Sequence, residues 1–131
     1  MKQLIVTLAL LSLSTAASAG TSIEGRWSNP KDSVTVEVAQ CGPAYCGTVI
    51  EASAKARADA RKGGTANLIG TRLMSGFKPD GKGGWKGRIF LPKHNMHAGG
   101  QIRAVGGNQL AVKGCAFGGL VCKEQRWSRA N

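Results

Sequence analysis

The sequence has 131 residues, with few acidic side chains, few aromatic ones and no G-x-S-x-G motif. Seven Asp and Glu residues and two His residues leave nucleophilic and paired-carboxylate catalysis without the groups they need. We therefore expect no enzymatic activity and no cofactor. The apolar run Leu4–Leu13 is only ten residues long, and a helix that crosses a membrane needs about 20. We expect no transmembrane segment.

The first residues have the pattern of an export signal. Lys2 supplies a positive start, the apolar run follows, and Ala17-Ser18-Ala19 offers small residues for cleavage. The pattern predicts a signal peptide over residues 1–19, cleaved after Ala19. A single domain over residues 20–131 would then be periplasmic or secreted.

Export also decides how the four cysteines are interpreted, because disulfides persist in oxidising compartments. Cys41 and Cys46 bracket one set of turn residues, and Cys115 and Cys122 bracket another. This favours two short-range disulfides, although loop-closure entropy alone does not decide the pairing. A four-thiolate zinc site is the rival interpretation, but spacings of four and six residues do not match zinc ribbons.

Short alternating strands between glycine-rich turns dominate the rest of the chain. Residues 34–38 and 85–91 alternate in polarity, and Gly106-Gly107-Asn108 separates two further strands. Residues 52–64 alternate alanine with charged residues, which is typical of a short surface helix or a mobile basic loop. The pattern predicts an all-β fold of about eight antiparallel strands. Closure into a small up-and-down barrel would remove exposed edges.

Two segments resemble the ends of a calycin-type, lipocalin-like barrel: Gly25-Arg26-Trp27 near the start, and Arg126-Trp127-Ser128-Arg129 at the end. The resemblance implies that Trp27 plugs the barrel floor. It also implies that Arg129, or failing that Arg126, lies across the Trp27 indole as a cation–π contact.

Most of the chain is similar to a family of small exported bacterial proteins known as domain of unknown function 2147. The similarity implies a calycin-like fold and an exported protein, but supplies no reaction and no ligand. The chain differs from the family's pattern in residues 52–67, where it has alanines and basic residues instead. The matching segments are Gly25–Trp27, Cys41-Gly42, Cys46-Gly47, Gly70–Leu73, Gly84–Phe90 with Pro92, Leu110–Cys115 and Gln125–Arg129.

The positive charge is the strongest chemical signal in the body of the chain. Lys and Arg exceed Asp and Glu by 18 to 7, and removal of the signal with Lys2 changes the net charge from +11 to +10. Such a charge attracts anions. In an exported protein these would be lipopolysaccharide, phospholipid headgroups or acidic glycans rather than nucleic acid. The candidate residues for an anionic surface are Arg57, Arg61, Lys62, Lys86 and Arg88, with Lys78 and Lys82 beside them.

The barrel interior provides the other candidate site. An eight-stranded barrel is either filled by side chains or holds one small ligand, and bulky inward residues favour a filled lumen with a shallow mouth. Trp85, Phe90 and Trp127 are the candidate ligand-binding residues, whereas His94 and His97 are interpreted as surface residues and not metal ligands. We expect non-catalytic binding of a small apolar or amphipathic ligand, or alternatively a basic module that binds anionic envelope components.

Overall fold

A computed structural model describes residues 22–131, so the expected signal peptide lies outside the described residues. Eight strands form one closed antiparallel barrel in which each strand pairs with the next and the last returns to the first. This confirms the predicted all-β, up-and-down barrel. The elements are β1 Gly25–Ser28, β2 Val34–Cys41, β3 Ala44–Ala52, α1 Ala54–Lys62, β4 Arg72–Pro79, β5 Trp85–Leu91, β6 Met96–Val105, β7 Gln109–Ala116 and β8 Val121–Arg129.

The up-and-down order gives the barrel two unlike ends. The short turns at residues 42–43, 80–84 and 106–108 lie at one end, which we call the closed end. The connections at residues 29–33, 53–71, 92–95 and 117–120, of which only 53–71 is long, lie at the other end, which we call the mouth. No helical segment in the described part of the chain has the length and apolar content of a membrane span.

Trp27 seals the closed end. Its side chain is 1% exposed, and its indole N–H donates a hydrogen bond to the carbonyl of Ile23 over 2.9 Å. Arg129 is its partner across the β1–β8 seam, and the Arg129 Cζ atom lies 4.2 Å from the indole centroid. The guanidinium also donates to the carbonyls of Glu24 and Gly107. Arg129, rather than Arg126, therefore makes the cation–π contact.

Residues 52–64 contain a helix, which was one of the two predicted outcomes. The Ser53 side chain accepts a hydrogen bond from the Ala56 N–H over 3.0 Å and caps the first turn of α1. Arg61 and Lys62 occupy the last turn, where positive charge complements the helix dipole. Ala60 faces the barrel and is buried. The helix therefore packs across the mouth.

Both predicted disulfides are present, with the favoured pairing. Cys41–Cys46 closes the β2–β3 hairpin at the closed end. Cys115–Cys122 joins facing residues of β7 and β8 at the mouth. Each end of the barrel is therefore cross-linked by one disulfide.

Candidate functional site

A cavity of about 840 Å³ occupies the mouth half of the barrel. Its walls come from inward residues of β2 and β4–β8 and from the barrel-facing side of α1. Met74, Val112 and Trp127 are buried residues of its floor, and the Trp27 plug lies beyond them at the closed end. The expectation of a filled lumen with a shallow mouth is wrong.

Small residues at inward positions explain the open space. Gly87, Gly100 and Gly114 face one another across β5, β6 and β7. Phe77 covers the first two, because a Cβ atom at Gly87 or Gly100 would lie 2.8 Å from the Phe77 ring. No side chain covers Gly114 in this way, because a Cβ atom added there would have Ile89 Cδ1 as its nearest neighbour, at 3.7 Å. The volume beside Gly114 therefore belongs to the cavity.

β8 places two polar side chains in this otherwise apolar wall. Trp127 points inward, so the alternation of a strand directs Gln125 and Lys123 to the same face, and all three line the cavity. The Trp127 indole N–H donates to Gln125 Oε1 over 3.2 Å. Lys123 lies further toward the mouth and is exposed. The lumen therefore has an apolar floor and a cationic group in its upper wall.

Lysines also surround the opening of the cavity. Lys31, Lys55, Lys93 and Lys123 line it, against a single carboxylate, Asp59. Asp59 accepts a hydrogen bond from Lys55 Nζ over 2.8 Å, and its Oδ2 atom lies 3.9 Å from Lys93 Nζ. The hydrogen bond from Lys55, and then the nearby positive charges, lower the pKa of Asp59 below its usual range. The rim keeps a net positive charge.

The position of α1 over the mouth is set by contacts with the β5–β6 turn. The Thr65 hydroxyl donates to the carbonyl of Pro92 over 3.1 Å. Gly63 packs so closely on the Lys93 backbone that a Cβ atom would lie 2.3 Å from the Lys93 carbonyl oxygen. These contacts fix the helix end beside the opening. The helical repeat then aims four residues at the cavity: Lys55, Ala56, Asp59 and Ala60.

A sequence model for a family described as an uncharacterized protein conserved in bacteria (DUF2147) matches residues 25–129. The chain belongs to this family. No curated protein matches the sequence. Protein HP1028 from Helicobacter pylori, whose structure is described as belonging to the lipocalin family, aligns with a TM-score of 0.66 at 13% identity, covering 85% of this chain and 84% of that one. The likeness shows that this DUF2147 protein has a lipocalin-like fold.

The DUF2147 barrel places the predicted ligand-binding residues at different depths. Phe90 and Trp127 line the cavity. Trp85 is not part of its lining; it is half-buried near the closed end, where it pairs with Ile102 and Pro79. These two predicted residues approach the cavity from β5 and β8, whereas Trp85 lies below the floor.

The predicted anionic-surface residues lie on two separate elements of the DUF2147 barrel. Arg57, Arg61 and Lys62 belong to α1, at the mouth. Lys86 and Arg88 lie on the exposed face of β5, and Lys86 is only one residue from its closed-end start. The fold does not place these five cations on one end of the barrel.

Of the two histidines, His94 lies in the β5–β6 turn and His97 lies in β6, and both are exposed, as predicted. The His97 ring lies 5.0 Å from the Phe90 ring across the β5–β6 pair. Among residues 22–131, no three His, Cys, Asp or Glu side chains converge on a position suited to a metal ion.

Sequence reasoning missed the polar groups in the lumen wall of this DUF2147 protein. The signal was present in β8, where every second residue, Val121, Lys123, Gln125 and Trp127, lines the cavity, although only Trp127 is buried. Once Trp127 was assigned to the interior, the same alternation should have assigned Lys123 and Gln125 there too. Lysine is seldom expected on the inward face of a strand, and this made Lys123, which stays exposed near the mouth, easy to overlook.

Proposed function

We propose that this protein is an exported, periplasmic or secreted, non-catalytic binding protein for a small amphipathic molecule. The apolar part of the ligand would occupy the lumen, and an anionic head would lie at the lysine-lined opening. One observation carries the proposal: a cavity of about 840 Å³ with an apolar floor and Lys123 in its upper wall. The two disulfides are compatible with export.

The size and lining of the cavity support an apolar tail. Its volume lies within the roughly 300–1,000 Å³ of small-molecule sites. Met74, Val112 and Trp127 form an apolar floor that a hydrocarbon chain could cover. Each methylene transferred from water contributes about 0.8 kcal/mol, or roughly fourfold in affinity.

The charges at the opening support an anionic head. Asp59 already accepts from Lys55 and lies near Lys93, so it partly neutralises those two lysines. Lys31 and Lys123 form no ion pair with any other residue of the described chain, 22–131. Lys123 is therefore available to a ligand carboxylate or phosphate. Because it is exposed, we expect a modest contribution, about 0.2 to 1 kcal/mol.

The cavity lining supports binding rather than catalysis. Its single carboxylate, Asp59, has its pKa lowered by its lysine partners, which disfavours a role as a proton donor near neutral pH. His94 at the rim forms no ion pair with any carboxylate of the described residues, so no acidic group orients it. Absence of turnover is thus part of the proposal.

A chain-length series tests the tail. Linear alkyl carboxylates of increasing length would be titrated against the purified oxidised protein, with intrinsic tryptophan fluorescence and calorimetry as readouts. We expect affinity to rise about fourfold per methylene until the lumen is filled, and then to level off. Affinity independent of chain length would contradict binding in the lumen.

Two glycine variants locate the binding site. Gly114→Leu places a side chain in the cavity. The control, Gly99→Leu, adds the same side chain on the exposed face of β6, next to Gly100, which pairs with Gly114. We expect the first to abolish binding of the longest carboxylate and the second to leave it unchanged. Equal affinities for both variants would place the ligand elsewhere.

A matched series of alkyl alcohols tests the head. Lys123→Gln should weaken carboxylate binding by about two- to fivefold and leave alcohol binding unchanged, because only the carboxylate is charged. Lys86→Gln, on the exposed face of β5, is the control and should change neither. If Lys123→Gln has no effect on carboxylates, the lumen binds apolar molecules without selecting for an anionic head.

A further inference from the structure

The connection between β7 and β8 carries an unusual concentration of exposed apolar side chains. The described residues include five large apolar side chains that are exposed; two of them lie in this connection, and a third, Val121, is the first residue of β8. Phe117 is 71% exposed, Leu120 is 87% exposed, and Val121 is half exposed. Single exposed apolar residues are ordinary on protein surfaces, whereas a cluster of them marks a site of interaction. We call these three residues the apolar tip.

The backbone holds the apolar tip in a defined shape. Phe117, Gly118 and Gly119 have φ angles of 54°, 64° and 88°, all in the left-handed region. A phenylalanine adopts this region only at a cost in conformational energy. The Cys115–Cys122 disulfide closes the base of the turn. The fold therefore projects Phe117 outward although the local backbone disfavours this residue.

The apolar tip shares its end of the barrel with several lysines. Phe117 and Val121 line the same opening as Lys31, Lys93 and Lys123. Apolar side chains beside lysines match the interface of a membrane that contains anionic lipids, where apolar side chains enter the headgroup region and lysines meet phosphates. A second copy of this chain is a poorer partner, because mouth-to-mouth contact would bring the lysines of both copies together.

We propose that the apolar tip inserts into the interfacial region of an anionic phospholipid bilayer, so that the mouth of the barrel faces the membrane. Leu120 and Phe117 supply the apolar contact, and the lysines at the opening supply the electrostatic attraction. This goes beyond ligand binding in the lumen, because it requires only the outer surface of the mouth.

Co-sedimentation with vesicles tests the proposal. The oxidised full-length mature protein would be mixed with vesicles of phosphatidylglycerol and phosphatidylcholine, or of phosphatidylcholine alone. We expect binding to the mixed vesicles, weaker binding at high salt, and much weaker binding to phosphatidylcholine. Failure to bind the mixed vesicles would overturn the proposal.

Substitutions at the tip distinguish insertion from adsorption by charge. Leu120→Ser should weaken vesicle binding about tenfold or more, because it removes a side chain expected to leave water on binding. The control Val105→Ser changes an exposed apolar residue at the closed end and should have no effect. Equal binding by both variants would mean that charge alone holds the protein on vesicles, and the insertion proposal would be wrong.

Phe117→Asn separates function from folding. Asparagine tolerates the left-handed region better than phenylalanine, so this variant should be at least as stable as the parent while binding vesicles more weakly. A variant that is more stable and binds vesicles as tightly as the parent would contradict a role for Phe117.

If the parent protein is a dimer in solution that Leu120→Ser converts to a monomer, the tip is instead a contact between copies.

The Gly114→Leu variant keeps this proposal independent of the proposed lumen ligand. It fills the lumen without touching the apolar tip, so it should lose carboxylate binding and keep vesicle binding. Loss of both in a folded Gly114→Leu protein would show that vesicle binding goes through the lumen, and would overturn binding by the outer tip.

Discussion

The contact between Trp27 and Arg129 closes the barrel, and a double-mutant cycle measures how much it contributes to stability. The single changes are Trp27→Ala and Arg129→Met, and the double variant combines them. Met keeps much of the aliphatic packing of Arg129 and removes the guanidinium. Arg126→Met, three residues before Arg129 on β8 and outside the seam pairing, is the matched control.

The structure sets the expected magnitudes. Trp27 is 1% exposed, so its truncation should lower the free energy of unfolding by about 3 to 5 kcal/mol. Arg129→Met loses an exposed cation–π contact of about 0.5 to 1 kcal/mol, and two hydrogen bonds to backbone carbonyls of about 1 kcal/mol each. We therefore expect about 2 to 3 kcal/mol for Arg129→Met. Arg126→Met should stay within about 0.5 kcal/mol.

Urea denaturation with the disulfides oxidised gives the four free energies of unfolding. Because both single variants lose the indole–guanidinium contact, the double variant should be less destabilised than the sum of the two by about 0.5 to 1 kcal/mol. A coupling energy near zero would show that the contact is geometric but does not stabilise the fold. A loss below about 1 kcal/mol for Trp27→Ala would refute the view that Trp27 seals the closed end.

Two further predictions follow from the glycines and from a turn at the closed end. Gly100→Ala should lower the free energy of unfolding by about 1 to 3 kcal/mol, because its Cβ atom would lie 2.8 Å from the Phe77 ring. Gly114→Ala should be tolerated, because its Cβ atom would point into the cavity. Similar losses for both variants in chemical denaturation would contradict the conclusion that Phe77 covers Gly100 and leaves Gly114 uncovered. The backbone N–H groups of Lys82 and Gly84 donate to Asp80 and lower its pKa below its usual range. The carboxylate therefore stabilises the fold above the unfolded-state pKa of about 3.9, and this contribution is lost as the pH falls through the lower folded-state pKa. Asp80→Asn should be less stable than the parent at neutral pH, and the difference should shrink in acid; a difference that does not change with pH would count against a charged role.

The strand pattern was accessible from local sequence because each strand is short and most turns carry glycine. The alternation of Val34, Val36 and Val38 shows which face is buried without any knowledge of the partner strand. The Gly106-Gly107-Asn108 turn likewise determines its own hairpin, whose register pairs Val105 with Gln109. The helix in residues 54–62 was left open, because its charged and alanine residues lack an apolar stripe and the contact that fixes it is with Pro92 and Lys93, far along the chain.

The open lumen was not predictable in the same way. The alternation in residues 85–91 shows which side chains share a face, but the size of the cavity depends on how Phe77 lies across Gly87 and Gly100 while leaving Gly114 uncovered. Residue volumes summed along the sequence do not show this, because they do not reveal that the Phe77 ring fills the space above Gly87 and Gly100 and that no ring lies above Gly114. Trp85 was assigned to the site for the same reason: its face of the strand was known, but its depth was not.

The sequence alone determined the strand faces, the glycine-rich turns and the residues available for disulfides, because these depend on alternation and on neighbours within a few positions. It also indicated, through its similarity to a known family, that the two ends of the chain would meet. Only the tertiary structure decided which arginine covers Trp27, how deep the lumen is, and that Lys123 and the apolar tip share one opening. Those features depend on side chains from strands distant in sequence reaching the same place, and closure of the barrel is what brings them together.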